Sequence, residues 1–327
     1  MVTRLIIDQQ LVQVTETGSS VKMEKLGLER SLQFVIDSGI TIKVLATDRH
    51  LGIQAFMKAE YPQIEHQFDV WHVAKSVKKK LTQKASKKEA SDLLPWIPSI
   101  SNHLYWSAQS SEGDPDLLVE KWLSCTHHIV NAHSWNGGKV TRCDHGDYEN
   151  DDDTSWLMRD SPAHTAMKSV VQNKKLLKDI RKLSLFCHTG QLEVYHSLIL
   201  KYASKRHHFR YTAMRARLQL AALDHNYNVD RGLAVGKDGQ PFVQQIFTKA
   251  RKQWVLRNVY CKKQYSHIDE IMQKIVERRM DKSVSIQDAN SRLEVPTICM
   301  KNIATEIKPC KTDAMSNRRS RMKVNEV

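Results

Sequence analysis

Four groups of residues have the types and spacing for chemistry. Asp48 follows a short apolar run, residues 40–47. A carboxylate just past the carboxyl end of a buried strand lies where open α/β sheets place their sites. The same aspartate suits the N-cap of a helix starting near His50 equally well. Asp69 precedes His72 by three residues. That spacing orients an imidazole, or makes an ordinary Asp–His contact at a strand-to-helix corner. Glu193 sits in an apolar helix one turn from His196. A buried carboxylate there needs a partner or a cation, whereas one on an exposed helix edge needs neither. Finally, His128, His133, Cys143 and His145 offer four zinc-type ligands within eighteen residues. Their spacing is not that of a common finger, and it fits polar residues scattered around a loop as well. Cys125, Cys187 and His188 add no discrimination.

The elements that must position these groups follow from the apolar pattern. Residues 5–15 are rich in β-branched and large apolar types and read as a strand. Ser20 is a candidate N-cap for a helix over 21–38 with Leu28, Leu32, Val35 and Ile36 on its apolar face, and Gly39 ends it. The run 40–47 reads as a buried strand, 51–60 as a helix, and 64–70 as an alternating strand. Strand, helix, strand, helix, strand is an α/β arrangement with a partly parallel sheet. Residues 90–135 read as helical and hold four of the seven Trp, namely Trp96, Trp106, Trp122 and Trp135. Helical pattern resumes at Ser161-Pro162. The helix over 191–202 is apolar on nearly all sides, the mark of a buried helix. Another helix covers 211–224. Ser266 to Asp269 resembles a capping box ahead of an amphipathic helix carrying Ile268, Ile271, Met272, Ile275 and Val276.

Composition narrows the classes. The chain has 327 residues, 50 Lys+Arg against 36 Asp+Glu, and a net charge of +14. Twelve Gly, eight Pro and 41% hydrophobic residues exclude fibrous and disordered classes. No stretch approaches the roughly 20 apolar residues of a membrane helix, and the start lacks the apolar core of a secretory signal. Six dispersed Cys fit a reducing compartment. The charge is uneven. Lys75, Lys78, Lys79, Lys80, Lys84, Lys87 and Lys88 form a block without an acid, opposed by an acidic loop at 144–153. The lysine block is either a solvated face or a phosphate-contact surface. Residues 251–327 carry 17 Lys/Arg against 9 Asp/Glu and read as a mobile basic tail, whose cluster at 318–323 suggests nuclear import.

At Asp48 these readings meet a pattern. ATDRHLGIQAFMKAEYPQIEHQFDVWHVAKSVKKKL resembles the second-aspartate region of Kolobok-like DDE transposases and, more loosely, Mutator-type enzymes, in which a C/D-x-x-H motif follows. Here that motif spans Asp69 to His72. VTETGSSVKMEKLGLERSL, SNHLYWSA, HHIVNAHSW, FCHTGQLEVYHSLILKY and MRARLQLAALDHN resemble the same group. The likeness covers roughly residues 5–228.

The resemblance implies an RNase H-like core interrupted by a helical insertion. In such enzymes three carboxylates hold two Mg²⁺ or Mn²⁺ ions that activate water or a 3′-hydroxyl against a phosphodiester. Asp48 matches the second carboxylate and Glu193 is the candidate third, with Asp179, Asp224 and Glu120 as alternatives. The first catalytic aspartate and its strand are expected upstream of the segment at 5–15, so the core is expected to lack its first strand. The expected organisation is a core part over 1–85, an insertion over 86–160, the helical remainder of the core over 161–235 and a basic tail over 236–327. The expected function is that of a transposase-derived protein with an incomplete site, binding DNA through Lys75, Lys78, Lys79, Lys80 and Lys84 in the nucleus, with no membrane partner. Structural zinc is a separate expectation. Two other readings stand beside this one: an active metal-dependent transposase or nuclease with a substitute first carboxylate, and a protein-interaction module using the helix near 266–280.

Overall fold

The computed structural model describes residues 3–146, 155–249 and 252–281, with scattered positions beyond. Most of the acidic loop (147–153) and the basic cluster at 318–323 lie outside the described residues. The elements run α1 (Val14–Thr17), α2 (Ser20–Asp37), β1 (Val44–Thr47), α3 (Leu51–Glu60), β2 (Glu65–Phe68), α4 (Val70–Ala85), α5 (Ile97–Gln109) and α6 (Pro115–His128). Then follow α7 (Pro162–Val171), α8 (Lys174–Ile180), α9 (Gly190–Tyr202), α10 (Tyr211–Asn228), β3 (Val243–Thr248), β4 (Gln253–Asn258) and α11 (Ser266–Met280). The protein is mixed α/β, and the chain divides into two compact units, 39–197 and 1–38 with 198–327. These boundaries differ from the four-part division that the resemblance implies.

In the unit 39–197, β1 and β2 pair in parallel, with Thr47 opposite Phe68. The crossover between them is α3. Among the described residues this sheet has two strands. β1 is also shorter than the apolar run and only half-buried, with Val44 40% exposed, so it is not the enclosed strand expected. One continuous apolar core runs from Phe68 through α4, α5, α6 and α7 to Leu183. α4 contributes Val70, Val73, Ala74, Val77, Leu81 and Ala85, a stripe at helical spacing. Trp122 of α6 is fully buried, and its indole N–H donates to the Val171 carbonyl at 3.1 Å. The core therefore continues across the expected boundary at residue 85.

In the other unit, residues 3–13 form no strand. Side chains of α10 pair the backbone of Ile6 and the Arg4 carbonyl in place of a neighbouring strand. The Asn226 amide accepts from the Ile6 N–H at 2.8 Å and donates to the Ile6 carbonyl at 2.9 Å, the two-way pairing a strand neighbour would supply. His225 Nε2 meets the Arg4 carbonyl at 2.9 Å. α2 begins one residue earlier than expected, capped by the Ser19 hydroxyl, and Gly39 follows it at φ 78°. Leu32 and Val35 are buried, whereas Ile36 is exposed. β3 and β4 form an antiparallel hairpin. α11 starts at Ser266 without a side-chain cap, so the expected capping box is not formed.

Asp224 is buried at the centre of this unit. Lys263 Nζ donates to its two oxygens at 2.8 and 2.9 Å, the Tyr202 hydroxyl donates at 3.0 Å and Asn228 Nδ2 at 3.1 Å. Burial pushes its carboxyl up, but these donors outweigh it and hold the group below its ordinary value. A depressed carboxylate stabilises the fold above its unfolded value, near 3.9, and that contribution is lost as pH falls through the folded value. Asp224→Asn should therefore cost about 2 kcal/mol at pH 7, and the gap to wild type should close on acidification below about pH 4. Urea unfolding at a series of pH values reads this directly.

Candidate metal centre and strand-end site

The described part of the chain brings His128, His133, Cys143 and His145 together. Their ligand atoms all lie within 4.8 Å of one another. His128 closes α6, and the segment 133–143 returns as a small hairpin. Its rungs are Cys143 N–H to the His133 carbonyl at 2.9 Å and Trp135 N–H to the Thr141 carbonyl at 2.8 Å. Gly137 and Gly138 turn it with φ 102° and 77°. Glu120 of α6 fastens the turn, accepting from the N–H groups of Lys139 (2.5 Å) and Val140 (3.0 Å). Gly138 holds a left-handed φ of 77°, and a Cβ there would also lie 2.7 Å from Glu120 Oε2, so the turn favours glycine. Glu120→Ala should loosen the hairpin and destabilise the protein by about 1–3 kcal/mol, because two N–H groups lose their acceptor. Thermal denaturation measures this.

Hydrogen bonds orient the rings of the cluster. His133 Nε2 lies 2.9 Å from Asn131 Oδ1, and His145 Nδ1 lies 2.7 Å from the Gly146 carbonyl. His133 Nδ1 and His145 Nε2 lie 3.1 Å apart, close enough to share a proton or to face one cation together. Cys143 Sγ lies 3.5 Å from His128 Nδ1. A tetrahedral zinc set has ligand-to-ligand edges of roughly 3.3–3.8 Å, derived from metal–ligand bonds of about 2.0–2.3 Å. Burial, then the neighbouring His133, His145 and His103, push His128 down to about 4. His133 is lowered by burial and by His145. Both imidazoles therefore stay neutral at pH 7 and present lone pairs. Burial, then Asp144, raises the Cys143 thiol. Trp156 packs edge-on against His128 and His133 with ring centroids 5.4 and 5.5 Å away. The cluster opens on a cleft of about 360 Å³ lined by His103, Trp106, Arg142 and Asp144. This set can hold a metal ion.

The carboxyl ends of β1 and β2 form the second assembly. The Asp69 N–H donates to the Thr47 carbonyl at 2.9 Å, so Asp48 and Asp69 leave adjacent strands side by side. Their roles differ. Asp48 is exposed. The N-cap of α3 is His50, whose Nδ1 accepts from the Ile53 N–H at 3.3 Å, so Asp48 is not the cap. Arg49 pairs with Asp179 of α8 at 2.8 Å. Asp69 is buried and caps α4, accepting from the Trp71 N–H at 2.8 Å and from the Thr189 hydroxyl. His72 Nε2 stands 3.9 Å from Asp69 Oδ2, beyond hydrogen-bond length.

No family model matches the chain, and neither the curated proteins nor the solved structures contain a match to it. Glu193 lies in the first turn of α9 and is exposed. α9 is not the buried helix its composition implies: Leu192, Val194 and Leu200 are 45%, 60% and 43% exposed, and Tyr195 is its one buried residue. Among the described residues no hydrogen bond or ion pair joins Glu193 to Asp48. The three alternative carboxylates are committed elsewhere: Glu120 to the hairpin turn, Asp179 to Arg49, and Asp224 to Lys263.

Lys75, Lys78, Lys79, Lys80 and Lys84 are all exposed, over the arc of α4 that the buried stripe leaves. None of the five forms an ion pair among the described residues. Lys75 Nζ stands over the Trp71 ring at 4.6 Å. Asp144, the described part of the acidic loop, pairs with Lys121 at 3.4 Å rather than with α4. Cys125 is buried, and Cys187 packs away from the cluster, its carbonyl accepting from the Val70 N–H. No helix among the described residues is long and apolar enough to cross a membrane.

The sequence pattern did not point to Asn131, Gly146 or Trp156, and it singled out Glu120 only as an alternative carboxylate; these are the residues that orient the cluster. The Gly137-Gly138 pair was the available signal for a tight turn bringing His133 and Cys143 together.

Proposed function

We propose that this protein is a nuclear, DNA-binding protein of DDE-transposase descent, with a Kolobok-like and RNase H-like ancestry, and that it does not cleave DNA. The single observation that carries the binding is the lysine face of α4: five exposed ammonium groups that form no ion pair among the described residues, on a helix that starts beside Asp48 and Asp69. Such a face contacts phosphates without reading sequence. The parallel β1–α3–β2 unit with an acid at its carboxyl end supports the ancestry.

The residues present do not fit a two-ion centre, which needs carboxylates converging on both Mg²⁺ or Mn²⁺ ions. Asp69 is occupied as a helix cap, and Asp48 and Glu193 are exposed without a contact between them. No catalytic step is therefore assigned. The test is a strand-cleavage assay with Mg²⁺ or Mn²⁺ beside a binding assay on duplex DNA. The reading expects binding, with wild type and Asp48→Asn equal in cleavage at background. Metal-dependent cleavage lost in Asp48→Asn would establish the enzyme instead, and no binding at low salt would remove the DNA partner.

For the second centre, His128, His133, Cys143 and His145 bind one structural Zn²⁺. Three imidazoles and one thiolate make a closed nitrogen and sulfur set, which suits zinc better than Mg²⁺ or Mn²⁺. Four protein ligands leave no open position for a water, so the ion's part is to pin the 133–145 hairpin to α6.

A further inference from the structure

The unit 1–38 with 198–327 carries a surface that none of these readings uses. In the β3–β4 hairpin, Phe247 pairs with Trp254, Gln245 with Leu256, and Val243 with Asn258. These six positions share one face of the ribbon. Trp254 is 70% exposed, Leu256 65%, Val243 51% and Phe247 47%. Ile246 and Val255, on the other face, are partly covered. The rings of Phe247 and Trp254 meet edge to face at 5.6 Å, which holds the indole upright on the sheet. The chemistry around the face is one-sided. Residues 239–268 contain six Lys/Arg and no Asp or Glu. Lys249, Lys252, Arg257 and Lys262 are exposed, and none forms an ion pair among the described residues.

We infer that the β3–β4 face binds single-stranded nucleic acid, stacking unpaired bases on Trp254 and Phe247 while Lys249, Lys252 and Lys262 hold the phosphates. An apolar face alone has no defined occupant. The acid-free stretch 239–268, bounded by Asp238 and Asp269, supplies the argument, since its Lys and Arg give a polyanion its counter-charges. A duplex hides its base faces, whereas a single strand offers them. Stacking on an exposed aromatic is tolerant of sequence and worth about 1–3 kcal/mol per base. The inference concerns a different unit from α4 and does not rest on the duplex contact proposed there.

The experiment uses the full chain and a labelled short oligothymidylate beside an abasic strand of equal length and charge. Fluorescence anisotropy should show the base-bearing strand binding about 10- to 100-fold more tightly, in keeping with stacking of one or two bases. Trp254→Ala should remove that preference and Trp254→Phe should keep most of it, which separates stacking from loss of the fold. Replacing the α4 lysines should leave the preference intact. Equal affinity for the two strands, or a preference unchanged in Trp254→Ala, overturns the inference. Self-association lost in Trp254→Ala without any strand preference assigns the face to a second copy of the chain and overturns it too.

Discussion

Cys143→Ser should strip the protein of its zinc and lower its Tm by about 10 °C or more. The size follows from what the ion joins. A structural zinc supplies an apparent binding free energy of about 10–16 kcal/mol in small finger peptides, where nothing else holds the fold. Here the hairpin has other anchors, namely the Glu120 contacts to Lys139 and Val140 and the rungs at Cys143 and Trp135. The ion's share is then several kcal/mol, and in a unit of this size each kcal/mol moves Tm by about 2–4 °C. Metal analysis of purified protein should find one zinc per chain in wild type and none in Cys143→Ser or His133→Ala. Cys125→Ser changes a buried thiol outside the cluster and should keep the zinc. A chelator should shift wild type to the Tm of Cys143→Ser. Wild type without zinc, or a variant that retains it, would reject the centre.

Replacing Lys75, Lys78, Lys79, Lys80 and Lys84 together by Gln should weaken duplex DNA binding at low salt by about 100-fold or more. The five side chains are exposed and unpaired among the described residues. The core stripe of α4, from Val70 to Ala85, is untouched by the change. Glutamine keeps helix propensity, so the loss of affinity is not a loss of fold. Lys75 has a second tie, its ammonium over the Trp71 ring at 4.6 Å, which fixes one charge close to the start of the helix. Thermal denaturation of the same variant should show a Tm close to wild type, and electrophoretic mobility on random-sequence duplex should show the drop. Unchanged affinity would move the contact to another surface.

Local patterns were legible where short-range forces decide. α3 follows from the sequence pattern, and the parallel pair follows from two strand patterns separated by one helix, whereas α4 was seen only as a lysine block. The zinc-type ligands were legible as a set of residue types, although their convergence depends on a glycine turn and on Glu120, nineteen and twenty residues away from the N–H groups it holds. Residues 5–15 misled because β-branched composition reports a preference for extended backbone, not a partner strand. Here Asn226 and His225 supply the partners from a helix more than two hundred residues away. α9 misled because apolar composition does not say what covers a helix: Val194 remains 60% exposed. Asp69 illustrates a third limit. Its type and its distance from His72 fit orienting an imidazole, yet its oxygens are engaged by the Trp71 N–H and the Thr189 hydroxyl. Which of two good partners an aspartate takes is a tertiary fact.

The central claim is that the lysine face of α4 neutralises DNA phosphates, and the salt dependence of duplex binding tests it most directly. Each phosphate contact contributes a slope of about −0.9 to the plot of log affinity against log salt concentration. Wild type should give a steep slope, and the five-fold Gln variant should be shallower by up to about 4. Identical slopes for the two proteins would contradict the account.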